Sequence, residues 1–298
     1  MLVCVGSIAF DTVETPDHVA EEVLGGSANF FGFAASLFGP VGLVGVVGDD
    51  FPESHLDVLR SRGIDTAGVQ RVPGRTFRWA GRYLDDMNVR ETTNLELNVF
   101  GSFDPVLPEP YRTSGYCFLA NGSPAIQERV LDQLHEPKLV LADTMNHWIS
   151  GARDEVLHLL RRVDGVIIND EEAMMLAGRT NLVAAARAVA RLGPGIVVVK
   201  KGAHGSLLVA EGGVFPLPAF PLEEVKDPTG AGDCFAGAFM GYVARAGDRS
   251  VATLRKAVLY GTVVASFNCE AFSVDRLRTL TTAEVEERAR QFADLLRT

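Results

Sequence analysis

The chain has 298 residues, with 38 acidic against 28 basic side chains and a formal net charge of -10. A hydrophobic fraction of 47% beside 22% charged residues supports a sizeable core and excludes a disordered chain. The negative charge argues against non-specific binding to nucleic acid or anionic membranes, although one local basic or glycine-rich site suffices for a phosphate-bearing ligand.

Residues 2–8 form a short apolar run, the mark of a buried strand. Asp11 and Glu14 interrupt that start and no basic segment precedes it, so a cytoplasmic, reduced protein is expected. Cys4, Cys117, Cys234 and Cys269 are far apart, which fits buried free thiols better than a zinc ribbon or disulfide framework. Residues 13–24 are partly alternating, as in an exposed strand or hairpin. Residues 23–48 carry no charge and are long enough to span a bilayer. Their glycines, the Gly39-Pro40 break and the polar Ser27, Asn29 and Ser36 favour a buried helix over 27–38 and a buried strand over 41–47. Residues 50–63 carry Phe51, Leu56 and Leu59 and close at Gly63, a helix signature.

Residues 71–100 differ in kind, being rich in Arg, Asp, Thr, Asn and aromatics. Alternation in Phe77-Arg78-Trp79 and in Leu95-Glu96-Leu97-Asn98-Val99 predicts strands with one wet face. With residues 13–24 they form a small β subdomain on an α/β body, all within a single domain over 1–298.

From Gly115 onward, short apolar strands at 116–120, 139–142, 166–168 and 196–200 alternate with helices at 123–134, 152–163, 170–177 and 182–192. A hairpin over 206–210 and 213–217 and helices over 231–245 and 251–267 follow. A capping box from Thr281 to Glu284 opens the last helix, with Val285, Ala289, Phe292 and Leu296 on one face. The alternation implies a mostly parallel sheet wrapped on both faces.

Four segments carry chemistry, three of them glycine-rich. In residues 227–239 a turn, Asp227-Pro228-Thr229-Gly230-Ala231-Gly232-Asp233, runs into an apolar helix. Small residues there let backbone N–H groups converge at a helix N-terminus, an anion hole suited to a phosphoryl group. Asp233, in the first turn, is either a helix cap or a base that takes a proton from an attacking hydroxyl. Leu24-Gly25-Gly26-Ser27-Ala28-Asn29 is either a tight turn with Asn29 as a local cap or the close approach of backbone and amide to a polyhydroxylated ligand. In Asn169-Asp170-Glu171-Glu172 the carboxylates favour a helix start or help hold hydrated Mg²⁺. Lys200-Lys201-Gly202-Ala203-His204-Gly205 ends a strand, where open parallel sheets bind ligands; its lysines suit phosphate or a solvated turn. No GxxxxGK[ST], GxGxxG after the first strand, GxSxG or HExxH occurs, which disfavours P-loop, dinucleotide-dependent, hydrolase and zincin chemistry.

Together these segments resemble the ribokinase/PfkB family of carbohydrate and nucleoside kinases. Residues 24–31 are similar to its first signature in the form GGxAN, and residues 227–239 to its second, DPTGAGDxFxGAF. Asn169 and Glu172 match NxxE, residues 200–205 match TxGxxG, and Gly6 and Asp11 match the glycine and aspartate after the first strand. The resemblance implies a ribokinase-like α/β fold and transfer of the γ-phosphoryl of ATP to a hydroxymethyl group of a sugar or, alternatively, a nucleoside. It implies Asp233 as base, with Gly230, Ala231 and Gly232 as the anion hole. Asp11, Gly25, Gly26 and Asn29 would bind the acceptor, and Asn169, Lys200, Gly202, Gly205 and Thr229 the nucleotide. Glu172 would serve Mg²⁺ through water, and Asp227 a monovalent cation such as K⁺. The β subdomain would be a lid, and two lids packed together would make a homodimer, burying some of Phe77, Trp79 and Val99. Lys200 replaces the usual threonine, Glu270 stands where many members have glycine, and residues 143–148 are not those of typical ribokinases. Phe77, Trp79, Tyr83 and Trp148 could stack on a base, cap a sugar or form the lid's own core.

Overall fold

Leu2 and Cys4 join one hydrophobic core, and Val3 and Val5 join another. That is the behaviour of a strand buried on both faces, since successive side chains point in opposite directions. The protein is described here by a computed structural model, covering residues 1–211 and 213–297.

The chain runs β1 (Leu2–Val5), β2 (Ala9–Thr15), β3 (His18–Gly25), α1 (Ser27–Ser36), β4 (Val41–Val47), α2 (Glu53–Ser61), β5 (Ile64–Arg71), β6 (Phe77–Tyr83) and β7 (Arg90–Glu96). A 3-10 turn over Asn98–Ser102 leads to α3 (Glu109–Arg112), β8 (Tyr116–Leu119), α4 (Pro124–Leu131), β9 (Leu139–Ala142), α5 (Asn146–Gly151) and α6 (Arg153–Leu160). Then come β10 (Gly165–Asn169), α7 (Asp170–Ala177), α8 (Leu182–Ala190) and β11 (Ile196–Lys200). A second 3-10 turn, Gly202–His204, opens the hairpin β12 (Ser206–Ala210) and β13 (Gly213–Leu217). The chain closes with α9 (Ala231–Ala246), α10 (Val251–Asn268), α11 (Asp275–Thr279) and α12 (Thr282–Leu295).

The large sheet has nine strands in the order β13-β12-β11-β10-β9-β8-β1-β4-β5. All its pairings are parallel except those of the terminal hairpin. Residues of α1, α9, α10 and α12 fill the core on one face, and residues of α4, α6, α7 and α8 fill the core on the other. From β1 the chain moves one way to β4 and β5, then returns to build β8 to β11 on the other side. The strand order therefore switches direction between β1 and β8, and open parallel sheets bind ligands beyond the carboxyl ends of the strands at such a point. No helix among the described residues is long and apolar enough to cross a membrane. The charge-free stretch becomes α1 and β4, both buried.

The small sheet has the order β3-β2-β6-β7. Several sequence expectations need correction here. The first strand leaves the large sheet after Val5, and Ala9 already pairs with β3 and β6, while Arg71 ends β5 of the large sheet. The alternation at residues 95–99 does not continue as a strand: β7 stops at Glu96, and Asn98 takes φ 45° at the start of the 3-10 turn. Val99 and Phe77 are engaged within the chain, Val99 by burial and Phe77 by stacking 5.5 Å from Phe100, whereas Leu95 is 53% exposed. Leu296 lies beyond the end of α12 and is exposed rather than on its apolar face.

Candidate active site

Parallel pairing brings the ends of β10 and β11 level, with Asn169 beside Lys200. Asn169 caps α7: its Oδ1 accepts the Glu172 N–H at 2.8 Å, and the Glu172 carboxylate accepts the Asn169 backbone N–H at 2.8 Å. The other Glu172 oxygen accepts Asn169 Nδ2–H at 2.8 Å. Asp143 follows β9, and its Oδ2 accepts a hydrogen bond from Lys200 Nζ at 3.3 Å.

The residue that caps α9 is Gly230, in the left-handed region at φ 77°. A Cβ there would lie 2.3 Å from the Phe30 ring, so only glycine lets the loop pass α1 this closely. Ala231 N–H is engaged by the Pro228 carbonyl at 3.1 Å, so the free donor of the anion hole lies further into the first turn, at Gly232. Lys200 stands beside it: a Cβ on Gly232 would lie 3.1 Å from Nζ. A helix N-terminus and an ammonium thus meet in one place, the electrostatics an anion needs.

Asp233 is the third residue of α9, and no side-chain cap bond forms at this helix start. The Asp233 carboxyl is buried beside the first-turn backbone N–H groups and Lys200 rather than in the cap position, which Gly230 holds. Loss of water around the carboxyl pushes its pKa up to about 6, opposed by Lys200 and reinforced by Asp143. Burial likewise pushes Glu172 up to about 8, with Asp143 adding to the rise. Burial works against the charge on Lys200, yet Asp143, Glu172 and Asp233 together hold its pKa above the ordinary lysine value.

Across the crevice, β2 supplies Asp11 and the β3–α1 turn supplies Gly25 and Gly26. Asp11 Oδ2 accepts the Gly26 N–H at 3.4 Å. A Cβ on Gly25 would lie 2.0 Å from the Asp11 carboxyl carbon, so glycine there makes room for the carboxylate. Burial pushes Asp11 up to about 7, opposed by the Gly26 N–H and reinforced by Asp227 and Asp233. Asn29 is fully buried; its Nδ2 donates to the Gly25 carbonyl at 2.5 Å and its Oδ1 has no partner. Ser7 and Ser27 exchange hydrogen bonds that pin the turn, Ser27 N–H to Ser7 Oγ at 3.0 Å and Ser7 N–H to Ser27 Oγ at 3.2 Å.

The small sheet contributes Asn88 and Arg90, which sequence reasoning did not single out, and gives Tyr83, an aromatic expected on the lid, a partner at the site. Tyr83 Oη accepts from Thr229 Oγ1 at 3.1 Å. Asn88, in the β6–β7 turn, accepts the Ala203 N–H at 2.8 Å and so touches the Gly202–His204 turn, which Gly205 ends. Arg90 sits 5.1 Å over the Trp79 ring and lowers the pKa values of Asp11 and Asp233. Asp143 was legible only as part of a loop. None of these follows a local motif; each depends on how the small sheet or a strand end folds over the crevice. His204 is exposed on the Gly202–His204 turn.

Two cations implied by the resemblance fare differently. Asp143, Glu172 and Asp233 gather three carboxylates around one ammonium, an excess of negative charge that suits a divalent cation with phosphates. The Glu172 oxygens already hold donors, and among the described residues no three acidic, His or Cys side chains cluster at ligating distance. The residues therefore fit Mg²⁺ held through water. Around Asp227 the fit fails: the carboxylate is fully buried and accepts the Thr229 N–H at 2.8 Å and the Ser273 N–H at 3.2 Å.

The family model of the pfkB family carbohydrate kinases matches residues 1–279. A cytidine kinase of Thermococcus kodakarensis is 34% identical over 246 residues, covering 80% of this chain and 87% of that protein. A deoxyribokinase of Salmonella typhi is 27% identical over 247 residues, covering 79% of each. A putative ribokinase II from E. coli, solved in complex with ATP and Mg²⁺, superposes with a TM-score of 0.77 at 19% identity, covering 97% of this chain and 99% of that one, which speaks to the fold. A match over nearly the whole chain, on a ribokinase-like fold, makes this protein a member of the pfkB carbohydrate kinase family, ATP-dependent kinases that phosphorylate a hydroxyl of a sugar or nucleoside.

Proposed function

We propose that the crevice between the two sheets phosphorylates a hydroxymethyl group of a sugar or sugar-like alcohol, with Asp233 as the base. The acceptor lies between Asp11, Gly25, Gly26 and Asn29; the unpartnered Asn29 Oδ1 takes a hydroxyl hydrogen. Its reacting hydroxyl gives a proton to Asp233 while the oxygen attacks the γ-phosphorus of ATP in line, and ADP leaves. Gly232 N–H and Lys200 offset charge on the transferred group, with Gly230 and Ala231 shaping the hole. Asn169, Gly202, Gly205 and Thr229 line the nucleotide side. Mg²⁺, held through water by Glu172, supplies charge neutralisation on the phosphates. The small sheet acts as a lid that excludes water from the transfer.

The observation that carries this reading is a buried carboxylate in the first turn of α9, beside a helix-end donor and a lysine. Asp233→Asn should lower kcat by about 10²–10⁴ and leave nucleotide affinity nearly unchanged. A folded variant turning over within about threefold of wild type, less than half a decade, would overturn the assignment. ADP release with Mg-ATP across sugars and nucleosides identifies the acceptor.

A nucleoside is the second reading, favoured by Trp79. It pairs with Asp11 across β2 and β6, so both project from one face of the small sheet and an aromatic surface lies next to the acceptor. The unpaired edge of β7, exposed along nearly its whole length, supports a homodimer formed by two small sheets.

A further inference from the structure

The loop that carries the anion hole rests on the segment that follows α10. The Thr229 carbonyl accepts Asn268 Nδ2–H at 2.7 Å. Asn268 is buried, and its Oδ1 in turn accepts the Cys234 thiol at 3.4 Å. The Cys269 carbonyl accepts the Lys226 N–H at 2.8 Å. Both Asp227 oxygens hold backbone N–H groups, as described above. Glu270 is bound by Arg276 at 3.0 Å and Arg288 at 2.5 Å, and the Arg288 guanidinium lies 3.4 Å from the centre of the Phe267 ring.

A bare monovalent cation needs several oxygen lone pairs turned toward one point, as hard cations do in general. Here the oxygens flanking Asp227 are turned toward N–H donors instead, and the only nearby carboxylate that departs from the family pattern is held by two guanidinium groups. An amide N–H on the Thr229 carbonyl does for that carbonyl what a cation would: it fixes its direction and draws off its negative charge. Thr229 is one residue before the cap of α9, so its orientation sets where the Gly232 and Asp233 N–H groups point.

We propose that Asn268 is a positioning residue for the phosphoryl-transfer loop, and that this kinase turns over without a bound monovalent cation. The proposal rests on the kinase reading above.

The test compares turnover in the chlorides of potassium, sodium and tetramethylammonium at equal ionic strength, with Mg-ATP prepared free of alkali metal. The expected kcat values agree within about twofold, well under one decade. A rise of about fivefold or more in potassium, over half a decade, overturns the proposal. The melting temperature of the nucleotide-free protein in the same salts gives a readout independent of catalysis. A bound cation would raise it by mass action, so equal values support the proposal and a potassium-specific rise overturns it. Asn268→Ala should lower kcat about tenfold or more through misplacement of the loop, with the acceptor KM unchanged; an unchanged kcat in a folded variant overturns the positioning role. If no acceptor is phosphorylated in any salt, the kinase reading fails, and the melting comparison still decides the cation question.

Discussion

Asp233 and Lys200 influence one another's protonation across the first turn of α9. Water loss lifts the Asp233 carboxyl to about 6, and Lys200 holds it from rising further. A base must be unprotonated, so the limb of the profile that belongs to Asp233 should fall as pH drops through about 6. Lys200→Met removes the restraining charge, and the acidic limb of kcat/KM should then move to higher pH, with a raised KM for ATP. A pH–rate profile of both enzymes checks this; an acidic limb that stays in place would show that Lys200 serves nucleotide binding alone. The loop before this helix was readable in sequence because glycine, threonine and aspartate act locally there. The roles of Asp143 and Asn88 were not, since their partners lie dozens of residues away.

At the scale of elements, the β3–α1 turn is built around a carboxylate that belongs to β2. Its two glycines were visible in sequence, and the reason for the first is steric: the Asp11 carboxyl carbon occupies the space of a Cβ at Gly25. Gly25→Ala should swing Asp11 aside and remove a charged hydrogen bond to the acceptor. Such bonds are worth about 1.5–3 kcal/mol, or about 10- to 100-fold in acceptor KM. The KM for ATP should change little, because Lys200 and Asn169 lie on other strands. Steady-state kinetics with each substrate varied in turn checks this, and equal rises in both KM values would mean that the whole crevice had shifted. The βα alternation was legible because apolar runs of strand length are punctuated by glycine and polar caps. The end of β7 was not: Leu95 and Leu97 continue the apolar alternation, yet the backbone turns at Asn98 and leaves both exposed.

At the scale of the molecule, the small sheet ends in an unpaired edge. Leu95 is 53% exposed on β7, an edge strand with exposed residues along nearly its whole length. Unpaired strand edges and exposed apolar side chains favour association with a second copy. Light scattering at micromolar concentration should report a dimer for the wild type and a monomer for Leu95→Lys. A strictly monomeric wild type would rule out this assembly.

The small sheet is assembled from two distant stretches, β2–β3 at residues 9–25 and β6–β7 at residues 77–96, joined by parallel pairing of β2 with β6. Each stretch alone is a two-stranded hairpin, marginal in water. Pairing them requires closure of a long intervening segment, and that segment holds α1, β4, α2 and β5 of the body. The entropy of that closure is lost before the pairing can reward it. The small sheet is therefore expected to form last, once the large sheet has brought the two hairpins together. The same order in reverse makes it the first part to open under heat or denaturant, so catalytic competence is lost while most of the protein remains folded.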